Sequence, residues 1–316
     1  MKQTTLFVIA IAALGFGATP SLGQPIRKQS QRAGAADAVD LSPRFVVGQP
    51  RRYRLILTMT QKQKYTKFAE GTISLQMIAI LRLAPTRPLP GGGAEVELSF
   101  DRLSIDAVPS REPRFQYDTE TDHDRPGDES YVRAIRRVAE SVVVFELSKA
   151  GQVRSMVGAR EIERLIEGQP GFELIASVLS EQWFQETAQD IFGPAGDQAT
   201  RRLGDTWRTH LAITIGGYPG AKTSVDWTLK TNANGEALIE GDAHVQAPVQ
   251  VDPSLKGLDQ KVTGTFTKAS IVWDLIHHRA RSVEKSEAMN LEYRAEDFLI
   301  GTTSLGTHSL LESIDP

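Results

Sequence analysis

A mainly β protein of the α+β kind is what this sequence predicts: two related antiparallel β-meander halves forming curved sheets or barrels, with a two-helix segment between them. Three observations carry that expectation. Apolar residues alternate through long stretches on both sides of the middle; the stretch 158–192 switches to helical spacing; and VGQPRRYRLILTMT (47–60) lies without a gap on LGDTWRTHLAITIG (203–216).

The chain opens with Lys2, an apolar run from Leu6 to Phe16 and the small-residue stretch Ser21-Leu22-Gly23, the layout of a secretory signal peptide over 1–23. The run is too short to span a bilayer, which takes about 20 apolar residues, and no second such run follows, so no transmembrane segment is expected. An exported chain, periplasmic or extracellular after cleavage near Gly23, is the expectation. Residues 24–42 mix Gln, Arg, Ala and Ser without a sustained period and read as a flexible linker.

The first half is expected over 43–157. RRYRLILTMT places Tyr53, Leu55, Leu57 and Met59 on one face, GTISLQMIAILRL places Ile73, Leu75 and Met77, and AEVELSFDRLSI places Val96, Leu98 and Phe100 after the turn PLPGGG. Val132, Ile135 and Val138 then fall at helical spacing, and SVVVFELSKAGQVRSM reads as a hairpin turning at Ala150-Gly151. The helical segment, 158–200, holds one helix from Ala159 to Glu167 and a second from Phe172 to Ile191. The second half occupies 201–300, with TSVDWTLK, a turn at Asn234-Gly235 and the hairpin IVWDLIHHRARSVE; residues 301–316 read as a C-terminal tail.

Gly48 to Tyr53, Tyr117-Asp118, Gly151-Gln152-Val153 and Gly204-Asp205-Thr206-Trp207 together resemble a family of exported bacterial β-rich proteins without an assigned function. In that family each half opens on a Gly-x-x-(Tyr or Trp)-Arg strand and later carries a Gly-x-Val hairpin. The resemblance implies a fold and a compartment, and no activity.

Composition excludes several chemistries. The chain has no cysteine, hence no disulfide, thiolate metal site, cysteine nucleophile or lipid-modified cysteine. Its formal charge is -3, which leaves no basic footprint for nucleic acid. The nearest approach to a nucleophile elbow, GTTSLGTHS, has Thr302 where the first glycine belongs. His277-His278 sit at a hairpin tip without the spacing that closes a zinc site.

The acidic stretch YDTETDHDRPGDE (117–129) has Asp118, Glu120, Asp122 and Glu129 at the first, third, fifth and twelfth positions of a calcium loop, but His123 where the turn glycine belongs. That excludes an EF-hand and leaves a solvated charged loop that binds no cofactor, with a looser calcium loop of Asp118, Asp122 and Asp124 as the alternative. Leu179, Trp183 and Phe184 on the second helix, with Trp207, Trp227 and Trp273 on strands, are the candidate lining of an apolar cavity. These features suit a non-catalytic envelope protein whose partner is an apolar small molecule, a lipid or acyl chain, or an envelope protein. The alternatives are a structural interaction module and an envelope hydrolase whose carboxylates the sequence does not single out.

Overall fold

Alternation decides which face of each strand is covered, and in the computed structural model it runs through a single antiparallel sheet. The structure describes residues 38–66, 70–108, 114–122, 130–167, 173–194, 196, 198–215, 218–246, 259–295 and 298–315. In chain order the elements are β1 (Ala38–Asp40), β2 (Arg51–Tyr65), β3 (Gly71–Pro88), β4 (Ala94–Val108), β5 (Phe115–Asp118), α1 (Ser130–Glu140), β6 (Val142–Leu147), β7 (Val153–Val157), α2 (Ala159–Ile166), α3 (Glu173–Val178) and α4 (Glu181–Phe192). They continue with β8 (Thr200–Arg202), β9 (Thr206–Ile215), β10 (Tyr218–Ala233), β11 (Glu236–Gln246), β12 (Asp259–Asp274), β13 (Arg279–Ala295) and β14 (Phe298–Ser313).

The main sheet runs β7-β6-β4-β3-β2-β14-β13-β12-β11-β10-β9, with β5 beside β4, while β1 and β8 pair separately. Along β2, Tyr53, Leu55, Leu57, Met59 and Gln61 are buried and their neighbours are not. On β4 the buried set is Ala94, Val96, Leu98 and Phe100, then changes parity to Leu103, Ile105 and Ala107. The change falls where Ile80 opposes Arg102 while Leu81 opposes Phe100, so Asp101 is the extra residue of a β-bulge that turns the later side chains back to the covered face.

The sheet is curled. A flat sheet of this many strands would span about 50 Å at roughly 4.8 Å per strand. Yet α4, about 18 Å long at 1.5 Å per residue, touches β7 and β9, the two ends of the path, as well as β13 near its middle. Only a sheet wrapped around the helix brings those strands to it. The end strands do not pair with each other among the described residues, so the curl stays open.

Three expectations are corrected. The tail expected over 301–316 is strand as far as Ser313: β14 lies inside the sheet, pairing with β13 on one side and β2 on the other. Leu305 and Leu311 are buried on its inner face, but the intervening Gly306, Thr307 and Ser309 break the apolar alternation from which a strand is read. The linker gives its last residues to the fold, since Ala38–Asp40 pair with β8 and Val39 and Leu41 are buried; its earlier part lies outside the described residues. The helix expected over 172–191 is two helices, broken at Leu179 and Ser180, because Ser180 leaves helical geometry and its hydroxyl accepts from the Trp183 N–H at 3.2 Å as the N-cap of α4.

The turn between β6 and β7 is built against the end of α4. Gly151 takes φ +79°, and a Cβ there would lie 1.8 Å from the carbonyl oxygen of Phe192. Gly48, before β2, has the same φ and open space around it. Gly151→Ala is expected to lower stability by on the order of 3 kcal/mol through backbone strain and overlap, and Gly48→Ala by about 1 kcal/mol through φ alone. Urea denaturation of the two variants side by side checks the difference.

Candidate functional site

Helix α4 has two faces. Phe184, Ala188, Ile191 and Phe192 are buried in the main apolar core. Gln182, Glu186 and Asp190, spaced i, i+4, i+8, form a polar stripe. That stripe faces the concave side of the sheet, where β13 carries Val283, Lys285 and Glu287 on its inward alternation. Polar groups thus meet inside the curl.

Lys285 Nζ contacts Asp190 Oδ2, with only 15% and 11% of the two side chains exposed. Gln182 Nε2 donates to Glu186 Oε1 at 2.9 Å. Burial works against the Lys285 ammonium, but the charges of Asp190, Glu186 and Glu287 outweigh it and its pKa is raised. Burial, helped by Glu287 and Asp190 and opposed by Lys285, pushes Glu186 up to about 8. Burial also raises Asp190 and Glu287, with Lys285 holding both back. The contact to Lys285 makes Asp190 the ionised member of the pair, while Glu186 holds a proton at neutral pH.

Beside these groups lies a cavity of about 80 Å³ that opens to solvent. Leu55, Leu57 and Met59 of β2, Val283 of β13 and Leu311 of β14 form its apolar wall, and Val178 and Trp183 face them from the helical side. Thr307, Ser309 and the charged cluster complete it. Two larger hollows, about 400 and 390 Å³, lie elsewhere: one over the outward residues Glu240, Asp242, Lys268 and Ser270, the other around Phe45, Lys149 and His278. The small cavity is the candidate site, because buried charge converges there.

Of the six residues expected to line a cavity, Trp183 does so. Leu179 and Phe184 pack in the core. So do Trp207 and Trp227, whose indole N–H groups donate to Pro194 O and Thr209 Oγ1, both at 2.9 Å. Trp273 is fully buried and its Nε1 has no hydrogen-bond partner among the described residues. None of these five lines this cavity, since aromatic strand residues with helices beneath them fill the core itself.

In the acidic loop, Asp118 accepts Arg102 Nη2 at 2.6 Å and the Glu120 N–H at 2.9 Å, and Asp122 Oδ2 accepts the Asp118 N–H at 2.8 Å. Those carboxylates are engaged with the chain itself, and Asp124 lies outside the described residues. His277 and His278 sit in the turn between β12 and β13, bonded to Asp274 Oδ2 at 2.7 Å and to Ser42 O at 3.0 Å.

One grouping of nucleophile type stands on the outer face: Ser286 Oγ is 3.1 Å from His308 Nδ1, and His308 Nε2 is 4.0 Å from Glu284. It is solvated, and the sheet ladder takes up the backbone N–H groups around it, so no oxyanion donor is offered there among the described residues.

Glu186, Asp190, Lys285 and Glu287 were not picked out by the sequence reading. Their signal is present in two places: charged residues inside the alternation Val283-x-Lys285-x-Glu287-x-Met289-x-Leu291, and acidic residues at Glu186 and Asp190 on a helix whose apolar positions are Trp183, Phe184, Ala188, Ile191 and Phe192.

No family model matches the chain, and no curated protein does. Among solved structures it overlays on a chain from the work described as lipid-protein interactions in lipovitellin, with TM-score 0.47 and 11% identity over 86% of this chain and 26% of that one. It overlays on DynF from the dynemicin biosynthesis pathway of Micromonospora chersina (TM-score 0.22, 8% identity, 91% and 92% covered). It also overlays on Pseudomonas aeruginosa OpdQ (TM-score 0.23, 7% identity, 85% and 100% covered). The chain spans about a quarter of the length of the lipovitellin chain. All three scores are low, and the reading of the site rests on its own residues.

Two expectations follow from the buried charges. Lys285→Met leaves Asp190 without its partner and is expected to lose about 3–5 kcal/mol, whereas the double variant Lys285→Met/Asp190→Leu recovers a large part of that loss; chemical denaturation of both reads the difference. Glu186 has a folded pKa above its unfolded one, so the stability it contributes is complete below the ordinary glutamate range near 4.5 and is lost as pH rises toward about 8. Across that window its slope is on the order of 1.4 kcal/mol per pH unit, which Glu186→Gln is expected to remove from the urea midpoint measured against pH.

Proposed function

We propose that the chain is an exported, non-catalytic binding protein of the cell envelope, whose ligand enters the cavity between α4 and the concave face of the sheet. One observation carries the reading. Beside α4 the core side chains of Leu55, Leu57, Met59, Val283 and Leu311, buried with the rest of the inner face, also line an opening whose far side is charged.

The export half rests on the apolar leader. The cavity sets the scale of the ligand. An opening of about 80 Å³ holds a few water-sized groups. It takes the end of a molecule, with the remainder passing out along α3 and α4.

A second reading, carboxylate hydrolysis, is favoured by Glu186, which keeps its proton near neutral pH and has the general-acid form that such chemistry requires. It assigns Glu287 as the second carboxyl. Steady hydrolysis of a glycoside or ester panel, abolished by Glu186→Gln, would replace the binding reading with this one.

Native mass spectrometry of the purified mature chain tests binding directly. The wild type is expected to carry a small molecule or to take up an apolar fluorescent probe, and Leu57→Trp, which fills the opening from the sheet side, is expected to weaken uptake at least tenfold while keeping the far-ultraviolet circular dichroism of the wild type. Repeated preparations without bound material, together with no probe uptake, would sink the proposal.

A further inference from the structure

The cavity's polar end has an unbalanced make-up. Three carboxyl groups, Glu186, Asp190 and Glu287, face one ammonium, that of Lys285, and Asp190 already holds it. Glu186 accepts from Gln182. Glu287 lines the cavity and accepts no hydrogen bond from any described residue.

Beside it on the same inward face stands Thr267, its partner across the β12–β13 ladder. Thr267 is 8% exposed, and its hydroxyl is buried without a hydrogen-bond partner among the described residues. That hydroxyl does not line the cavity; Glu287 does, and without a donor from the chain it is an acceptor open to an incoming one, since polar groups withdrawn from water in folded proteins are ordinarily satisfied.

Resting on the binding reading above, we propose that the group received at this end is an organic cation, a primary ammonium, so that the ligand class is an amphiphilic amine. The chemistry selects it stepwise. An anion meets three carboxyl groups. A hard metal ion needs a cage of oxygen ligands, and no group of three His, Cys, Asp or Glu side chains is close enough together to hold one among the described residues.

An alkylammonium needs less. Its N–H donors suit separate acceptors such as Glu287 and Glu186, and its apolar stem suits the wall of Leu55, Leu57 and Leu311. Trp183 lines the same cavity, and an indole is the best aromatic partner for a cation.

The arrival of a cation changes Glu186. Lys285 and Glu287 face it from β13 and Asp190 accompanies it on α4, while the residues that β2 and β14 add to the cavity, Leu57, Met59, Thr307 and Ser309, carry no titratable group. A second positive charge beside Glu186 favours its ionised form, so binding releases a proton near neutral pH.

Calorimetric titration of the mature chain with decylammonium, decanol and decanoate, three probes of equal chain length, tests the inference. Decylammonium is expected to bind at least tenfold more tightly than decanol, with decanoate weakest, and the observed heat is expected to vary with the ionisation enthalpy of the buffer. Glu287→Gln is expected to erase the preference for the amine and to keep the affinity for decanol. Equal binding of amine and alcohol to the wild type overturns the cation assignment and leaves the cavity as an apolar site; no binding of any probe overturns both. The comparison among probes on the wild type decides even where the variant does not fold.

Discussion

The contact between Lys285 and Asp190 fixes how α4 sits inside the sheet, and the curl of the sheet follows from where α4 sits. Burying an ion pair adds little net stability, because desolvation of both charges offsets most of their attraction; a pair of apolar residues would serve as well or better. What the pair supplies is geometry. The apolar residues of α4 could pack in several rotations about the helix axis, but only one places Asp190 against Lys285. In that rotation Phe184, Ala188, Ile191 and Phe192 reach the core and the polar stripe faces β13. Both end strands of the sheet then fold back onto one short helix.

Position along the chain and position in the sheet are far apart. The last strand, β14, lies between β2, which is nearly the first, and β13. Without it the strands before α2 and those after α4 would be separate sheets, each with an exposed central edge, a hazard that native folds cover or blunt. Closing the β2–β14 ladder requires the whole intervening chain to be looped, and contacts of such long sequence separation form late in folding. The inner wall of the cavity spans this seam: Leu55, Leu57 and Met59 lie on one side and Leu311 on the other. The site is therefore complete only when the fold is.

Much of the β architecture was legible in the sequence, because a covered face imposes a period of two that survives in the residue types. Tyr53, Leu55, Leu57 and Met59 were assigned from that period and are buried together. The helical positions Val132, Ile135 and Val138 belong to α1, and Ile135 and Val138 are fully buried. Pattern failed where a residue's role was set by a distant partner. β14 has Gly306, Thr307 and Ser309 on or beside its inner face, and its place is fixed by the two strands that flank it. The break before α4 depends on one serine hydroxyl. The site was missed for the same reason: Glu186 and Asp190 on a helix, or Lys285 and Glu287 on a strand, are ordinary solvent-facing residues until the helix lies inside the sheet. Tryptophans drew attention as bulky apolar residues, and bulk is what the core uses.

The polar end of the cavity has a physical consequence for the empty protein. A buried polar group without a partner destabilises a fold by about 1–3 kcal/mol, and the Thr267 hydroxyl, across the ladder from Glu287, is one such group. Replacement of Thr267 by valine, an apolar residue of similar size, relieves that burden without disturbing the ladder. Elsewhere in the sheet Tyr53 donates its hydroxyl to Ala280 O at 3.0 Å and the indoles of Trp207 and Trp227 each find an acceptor, while Trp273 Nε1 and the Thr303 hydroxyl share Thr267's lack of a partner among the described residues. Glu287 differs from such groups in the closed core, because it lines the opening and an incoming donor reaches it without rearranging the fold. Its carboxyl is already largely withdrawn from water when the protein folds, so a ligand that donates to it gains a hydrogen bond in a medium that screens it poorly. That is how a cavity of this size can discriminate among ligands by a single terminal group.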